Sequence, residues 1–127
     1  MAEELQFIIS NDAYGRQLEG DKKYKLHLPS NIPASDFWSI IVYDAISRMI
    51  INTIQPWPSV FSSDNNLVFN NDNSVDVYFG PDPVDETETN WIKTEPGKQW
   101  YMILRLYFPL ESWFNKKWQP GAVEELK

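Results

Sequence analysis

Two stretches of the chain, residues 36–44 and 100–108, are the most apolar and the richest in aromatic and β-branched side chains. In the first stretch, apolar side chains occupy both sets of alternating positions, so both faces of a strand formed there would be apolar. In the second stretch, one face is apolar throughout and the other carries a single charge, Arg105. Strands of this kind fit between two layers, so we predict that both are central strands in the interior of a sandwich or barrel.

Two further stretches alternate between apolar and polar residues, which is typical of strands with one face in solvent. Residues 22–28 would place Tyr24, Leu26 and Leu28 inward, with two lysines and a histidine outward. Residues 4–9 alternate less strictly, and we predict a short edge strand there.

Two hairpins are predicted. A turn at Asp44 would lead into residues 47–52, which would pair with the stretch 36–44. Residues 67–69 and 74–79 are joined by a run of Asn and Asp residues, which tolerate the left-handed backbone that a tight hairpin needs.

The last third of the chain adds a turn and a helix. Pro96 and Gly97 offer the two central residues of a type II turn before the second apolar stretch. Beyond that stretch, Leu110, Trp113 and Phe114 follow helical spacing, which predicts one short amphipathic helix. The pattern as a whole predicts a mainly all-β fold, an antiparallel β-sandwich with one short C-terminal helix.

Composition narrows the classes of partner. The length of 127 residues matches one domain, residues 1–127, and the absence of cysteine excludes disulfides and thiolate chemistry. A formal charge of −7 opposes binding to nucleic acid or to an anionic membrane surface, and we expect neither partner. No leader pattern occurs, and no apolar run approaches the ~20 residues that span a bilayer. A soluble protein in the cytoplasm or another intracellular compartment is the default expectation.

Few residues indicate a catalytic site or a metal-binding site. His27 is the only histidine and falls among the outward residues of a lysine-rich strand, so no serine–histidine–carboxylate arrangement is expected. Residues 64–66 and 71–73 carry the oxygen ligands that calcium prefers, but they lack EF-hand spacing and suit turns better. We therefore predict no catalytic residue, no metal site and no cofactor.

The acidic stretch at residues 82–91 is the best location for a ligand site, because irregular backbone, carboxylates, an amide and a ring converge there. We expect Asn90 to bond the backbone and Trp91 to pack down, while the neighbouring acids repel one another and stay mobile. Tyr43 and Arg105, on the two apolar stretches, are the candidates for the floor of the pocket. The alternative is that Trp91 only closes the end of the sandwich.

A resemblance to a known family runs along most of the chain. Eight segments carry it in order: 24–29 (YKLHLP), 37–39 (FWS), 42–44 (VYD), 72–81 (DNSVDVYFGP), 90–92 (NWI), 96–97 (PG), 104–107 (LRLY) and 118–120 (WQP). In these segments the chain resembles the family catalogued as domain of unknown function 1214, over about residues 22–125. The resemblance implies an antiparallel β-sandwich of jelly-roll type and assigns no catalytic residues. It also implies a companion, domain of unknown function 1254, which usually precedes this domain and is missing here, so the chain would be a stand-alone version or a fragment.

Two classes of function stay open. The first is a non-catalytic binding or interaction module, because no nucleophile–base pair can be assembled and a sandwich with spare edges tends to associate. Its partner would be a second copy in a symmetric homodimer, or the companion domain. The alternative is the partner-dependent half of an enzyme, of hydrolase type, or a domain that binds a small ligand or carbohydrate. The ligand is not identified by the sequence.

Overall fold

The computed structural model describes residues 4–30, 32, 37–50, 59–63, 67–83, 90–107 and 118–126, with the backbone alone at residues 4 and 5. Within those residues the regular structure consists of β-strands. They are β1 (Glu4–Ile9), β2 (Lys23–Leu28), β3 (Trp38–Asp44), β4 (Ser59–Phe61), β5 (Val75–Gly80), β6 (Trp91–Lys93), β7 (Trp100–Tyr107) and β8 (Val123–Leu126). The first sheet has the order β1-β7-β3-β4, and the second sheet has the order β6-β5-β2-β8.

The two sheets enclose one apolar core. Alternate residues of β2, β5 and β7 are buried, as their sequence pattern requires. The Trp100 ring from the first sheet meets two rings of the second, Tyr24 edge-on at 5.8 Å and Phe79 stacked at 5.0 Å between ring centroids. Burying a large apolar side chain contributes roughly 1.5–3 kcal/mol, so this shared core holds the sheets together. The predicted β-sandwich is confirmed.

The two apolar stretches lie side by side at the centre of the first sheet, as predicted. β3 and β7 pair antiparallel along their whole length, from Trp38 opposite Leu106 to Asp44 opposite Trp100. β1 pairs with the other side of β7 and forms an edge of the sheet, which confirms the edge strand predicted at residues 4–9.

The first predicted hairpin is correct in its turn and in the pairing that the structure describes. The Asp44 N–H donates to the Met49 carbonyl at 2.8 Å, and Tyr43 and Ile50 form an antiparallel bridge. The predicted strand does not begin at residue 47, because residues 45–47 belong to the turn, and its last two residues, 51 and 52, lie outside the described residues. β4 pairs with β3 farther along the same edge, from Ser39 opposite Phe61 to Ile41 opposite Ser59.

The second predicted hairpin is correct in its turn and its second strand and wrong in its first strand. Asn73 has the left-handed φ of 67° that the prediction requires, and the Asn70 N–H donates to the Ser74 carbonyl at 2.8 Å. Residues 67–69, however, form no strand. β5 pairs antiparallel with β2 and parallel with β6, so the second sheet is not purely antiparallel. Strand pairing depends on contacts distant in sequence, which a local pattern cannot specify.

Two further predictions and one strand that was not predicted remain to be described. The turn at Pro96 and Gly97 is confirmed: Gly97 has a φ of 84°, and the Lys98 N–H donates to the Glu95 carbonyl at 3.2 Å. β8 was not predicted, because four residues with two glutamates give a weak strand signal. The helix predicted around residues 110–115 lies outside the described residues.

Candidate functional site

The structure divides the four predicted ligand-binding residues between the two sheets. Tyr43 and Arg105 project from the outer side of the first sheet, where the Arg105 Cζ lies 5.9 Å from the Tyr43 ring centroid. Asn90 and Trp91 belong to the second sheet, Trp91 opening β6 with its side chain on the outer side. The prediction that Tyr43 and Arg105 form the floor of a pocket beneath Trp91 is therefore wrong, because the core of the sandwich separates the two outer sides.

Asn90 and Trp91 are nonetheless held as the sequence predicts. Asn90 has a φ of 51°, and its side-chain amide bonds both backbone groups of Val68, accepting from the N–H at 3.0 Å and donating to the carbonyl at 2.8 Å. Trp91 is half-buried, and its Nε1–H donates to the Gly80 carbonyl at 3.1 Å. These two bonds engage the backbone N–H and carbonyl of Val68, and both edges of β5 are occupied by β2 and β6. The middle of the acidic stretch, residues 84–89, lies outside the described residues.

The outer side of the first sheet carries an unusual concentration of rings and branched aliphatic side chains. We call this surface the aromatic face. The register of the strands places on it Gln6, Ile8, Phe37, Ser39, Ile41, Tyr43, Ser59, Phe61, Tyr101, Ile103, Arg105 and Tyr107. Most of these side chains are half-buried, and the only full charge among them is Arg105. An outer sheet surface in contact with water normally alternates to polar residues, and the composition of this surface departs from that rule.

Two stacked pairs of rings order this surface. Phe37 and Tyr107 stack with centroids 4.7 Å apart and planes 16° from parallel, and Phe61 adjoins Phe37 at 6.1 Å. Tyr43 and Tyr101 stack at 5.3 Å and 15°. Such pairs add about 0.5–1.5 kcal/mol beyond the area that they bury, so the rings are held in place rather than free to rotate.

Between the stacked pairs runs a row of isoleucines across three strands. Ile8 of β1 lies opposite Ile103 of β7, which lies opposite Ile41 of β3. Ile8, on the edge strand, is 66% exposed. Cross-strand neighbours of this kind pack against each other and form a continuous apolar ridge.

The turn after β3 extends the aromatic face at one end. Arg48 adopts a left-handed φ of 67°, and its guanidinium lies 5.6 Å above the Tyr101 ring centroid. Ile46 and Met49 on the same turn are 86% and 69% exposed. A non-glycine residue with positive φ costs free energy, so the turn is maintained by its other bonds.

Asp44 provides those bonds. Its Oδ1 accepts the N–H groups of Ser47 at 3.0 Å and Ile46 at 2.8 Å, and its Oδ2 lies 3.6 Å from the Lys98 Nζ. The backbone donors of Ser47 and Ile46, followed by the charge of Lys98, hold the pKa of Asp44 below its ordinary value. The carboxylate is therefore ionised near neutral pH and organises the turn by accepting these backbone hydrogen bonds.

A shallow depression lies beside this turn. It has a volume of about 290 Å³ and is lined by Glu19, Asp21, Ile46, Gly97, Lys98 and Gln99. Pockets that bury a drug-sized ligand usually measure about 300–1,000 Å³, so this depression is at the lower limit of that range.

A polar cluster occupies the outer side of the second sheet. The His27 Nδ1 lies 2.7 Å from the Asp76 Oδ1, and the Asn70 amide donates to the Asp76 Oδ2 at 3.2 Å. The Ser74 hydroxyl donates to Asp72 at 2.5 Å. That hydroxyl and the Ser74 backbone N–H hold the pKa of Asp72 below its ordinary value. Because the serine is bonded to an aspartate and not to the histidine, the cluster stabilises the turn before β5 and does not form a nucleophile–base pair.

In the described part of the chain, no group of three or more His, Cys, Asp or Glu side chains is placed to hold a metal ion. Nor do the described residues contain a helix of the length and apolar character needed to cross a membrane.

Apolar residues on both sides of residues 36–44 and 100–108 predict an interior position for both sides, whereas the structure places one side of each strand on the aromatic face. The alternation in residues 100–108 correctly groups Tyr101, Ile103, Arg105 and Tyr107 on one side of a strand. It cannot tell an inner side from an outer side when both are apolar. Only the sheet order shows that this set faces away from the core.

The fold and its two outer surfaces define the class of this protein as a β-sandwich domain. The family described as protein of unknown function (DUF1214) matches residues 3–111, and the chain belongs to that family. The matched region begins and ends earlier than the residues 22–125 expected from the resemblance. No curated protein matches the chain.

Two crystal structures share the fold. The VPA0106 protein from Vibrio parahaemolyticus is 20% identical over 98% of this chain, with a TM-score of 0.83. An uncharacterised protein from Burkholderia cenocepacia is 14% identical over 98% of this chain, with a TM-score of 0.62. The matched region spans only 31% and 29% of those two chains, so most of each is additional polypeptide.

Proposed function

We propose that this domain is a non-catalytic interaction module that docks a polypeptide partner on the aromatic face. The observation that carries the proposal is the row of rings and isoleucines on the outer side of the first sheet, where water would favour polar residues. The intracellular location expected from the sequence is part of the same proposal.

The composition of the aromatic face supports binding of a protein. Residues that dominate interface energetics are enriched in Tyr, Trp and Arg and cluster at the centre of the contact. Here Tyr43 and Tyr101 are stacked on each other, with Arg105 beside the first ring and Arg48 over the second. Because strands and stacking already hold these side chains, little conformational entropy would be lost on binding.

The length of the matched crystal structures supports a particular partner. More than two thirds of each of those chains lies outside the matched region. We therefore propose that the partner is the companion domain of the 1254 family, supplied here by a separate polypeptide or by another part of a longer protein. Inter-domain contacts commonly bury about 600–1,500 Å², and one face of a four-stranded sheet provides an area of that order.

The experiment is a binding titration between this chain and a purified 1254-family protein from the same organism. Tyr101→Ala removes the ring that stacks on Tyr43 and lies under Arg48, and we expect it to weaken binding about tenfold or more, equivalent to about 1.4 kcal/mol. Tyr14→Ala is the matched control, because Tyr14 is 83% exposed and also lies near an arginine, the Arg16 Cζ being 5.1 Å away, but it is outside the aromatic face.

Thermal unfolding of both variants establishes that they are folded. Equal affinity of the Tyr101→Ala and wild-type chains would reject the aromatic face as the docking surface. Failure of the wild-type chain to bind at tens of micromolar would reject the 1254-family partner.

The alternatives, a small-ligand or carbohydrate domain and a partner-dependent half of an enzyme, have weaker support. Among the described residues, a small ligand could use the depression beside Lys98, which is shallow and near the lower limit of pocket volume. A thermal-shift panel of sugars, nucleotides and small acids separates this alternative, since a ligand at 100 times its dissociation constant stabilises by about 2.7 kcal/mol.

A further inference from the structure

The turn after β3 holds an arginine in a backbone conformation that does not favour one. Arg48 has a φ of 67°, in the left-handed region that glycine and asparagine adopt more readily than residues with long side chains. Its N–H donates to the Asp44 carbonyl at 2.9 Å, so the closed turn keeps the residue in that region. Backbone outliers of this kind cluster at functional sites, which makes the role of the Arg48 side chain worth deriving.

The guanidinium of Arg48 contacts a ring and leaves its hydrogen-bond donors to water. Its Cζ lies 5.6 Å from the Tyr101 ring centroid, within the range of a cation–π contact. A guanidinium carries five N–H donors. Within the described ranges, no carboxylate or other acceptor pairs with those of Arg48, and the residue is exposed.

The carboxylate nearest in sequence does not neutralise this charge. Asp44 is the only acidic residue from 44 to 50, and its Oδ1 accepts the N–H groups of Ile46 and Ser47. Its Oδ2 faces the Lys98 Nζ at 3.6 Å. One end of the aromatic face therefore presents a positive charge, on a chain whose formal charge is −7.

Docking of a partner over Tyr101 would remove the water that solvates Arg48. A charged group that is buried without acceptors is costly, because it loses its solvation and gains no hydrogen bond in return. The partner must therefore supply acceptors at this point. A carboxylate suits a guanidinium best, since its two oxygens match two parallel N–H groups and its charge balances that of the arginine.

We infer that the partner presents an aspartate or glutamate carboxylate to Arg48, and that Arg48 determines specificity in the contact. The inference rests on the proposed function, because it names the chemistry that the aromatic face recognises in its partner. Opposite charges across an interface guide association and select against partners that carry the wrong charge.

The first test repeats the binding titration against the purified 1254-family protein with Arg48→Asn and Arg48→Glu. Arg48→Asn should weaken binding about tenfold or more, because the carboxylate of the partner is then buried without its cation. Arg48→Glu should weaken binding by about a further tenfold, because two carboxylates would face each other. An uncharged acceptor on the partner, such as a backbone carbonyl, would make the two variants equal.

Lys25→Gln and Lys25→Glu are the matched controls. They change the net charge by the same amounts, but Lys25 lies on the outer side of the second sheet, opposite Glu124 of β8. At physiological salt, charges more than about 8 Å apart are largely screened, so both controls should bind nearly as well as the wild-type chain.

The second test is thermal unfolding of Arg48→Asn, which separates recognition from a structural role. Asparagine tolerates the left-handed conformation, so relief of backbone strain should offset the lost contact with Tyr101. We expect this variant to unfold close to the wild-type temperature while its affinity for the partner falls.

Two results would overturn the inference. They are equal affinities of Arg48→Asn and Arg48→Glu, and a lower unfolding temperature of Arg48→Asn together with wild-type affinity. If Tyr101→Ala weakens binding and Arg48→Asn does not, the inference fails and the proposed function stands. If neither variant weakens binding, or the wild-type chain does not bind, both fail.

Discussion

The outer sides of the two sheets differ although their inner sides are alike. Both inner sides supply apolar residues to one core. The outer side of the second sheet follows the rule for a solvated antiparallel sheet, with Lys23, Lys25, His27, Asp76, Lys93 and Glu124 beside Tyr78 and Trp91. The outer side of the first sheet departs from that rule and is made mainly of rings and isoleucines.

This difference is the observation behind our proposal that the outer side of the first sheet is a contact surface. A polar outer side is well solvated by water. Covering an apolar outer side with another surface removes it from water and lowers the free energy.

The largest expected effect tests the inner side that the sheets share. Trp38→Ala removes a ring that is 5% exposed on the central strand, and we expect the free energy of unfolding to fall by about 3–5 kcal/mol. Trp91→Ala, on the outer side of the second sheet, should cost less because that ring is only half-buried. Chemical denaturation of both variants measures the difference. A loss below about 1 kcal/mol for Trp38→Ala would contradict its place in the core.

An intermediate effect tests whether the rings of the aromatic face act together. A double-mutant cycle between Tyr43 and Tyr101, each replaced by Ala, should give a coupling of about 0.5–1.5 kcal/mol, because the rings are stacked at 5.3 Å. The matched cycle between Tyr43 and Tyr78 should be additive, since these residues lie on opposite sides of the sandwich. Equal coupling energies in the two cycles would contradict the conclusion that the stacked rings of the aromatic face act together.

The smallest effect concerns pH and the polar side of the sandwich. The Ser74 hydroxyl and backbone N–H hold the folded-state pKa of Asp72 below its ordinary value of 3.8. The stabilisation is therefore present above that ordinary value and is lost as the pH falls through the lower folded-state pKa. Asp72→Asn should make the unfolding free energy less dependent on pH below that ordinary value, as measured by urea denaturation. If the unfolding free energy of the variant depends on pH as strongly as that of the wild-type chain, the Asp72 carboxyl is not the group responsible for the dependence.

Several elements were predictable because their signals are local. Alternation placed Tyr24, Leu26 and Leu28 inward on β2, and the turn at Gly97 follows from the ability of glycine to adopt positive φ. Asn90 was predicted to bond the backbone, and it does. These features depend on residues close in sequence, so the pattern contains the necessary information.

The candidate site was less predictable. Tyr43 and Arg105 were correctly grouped with each other but were wrongly joined to Trp91, because a linear pattern does not assign strands to sheets. The partner of β5 was misassigned for the same reason: it pairs with β2 and with β6, neither of which is its predicted hairpin partner.

The sequence by itself determined β1, β2, β3, β5 and β7, the inward residues of β2, and the family to which the chain belongs. Side-chain alternation repeats every two residues and needs no knowledge of the rest of the chain. Only the tertiary structure decided which apolar side of β3 and β7 is the core and which is the aromatic face. Those properties depend on strand order, and strand order is set by contacts between residues far apart along the chain.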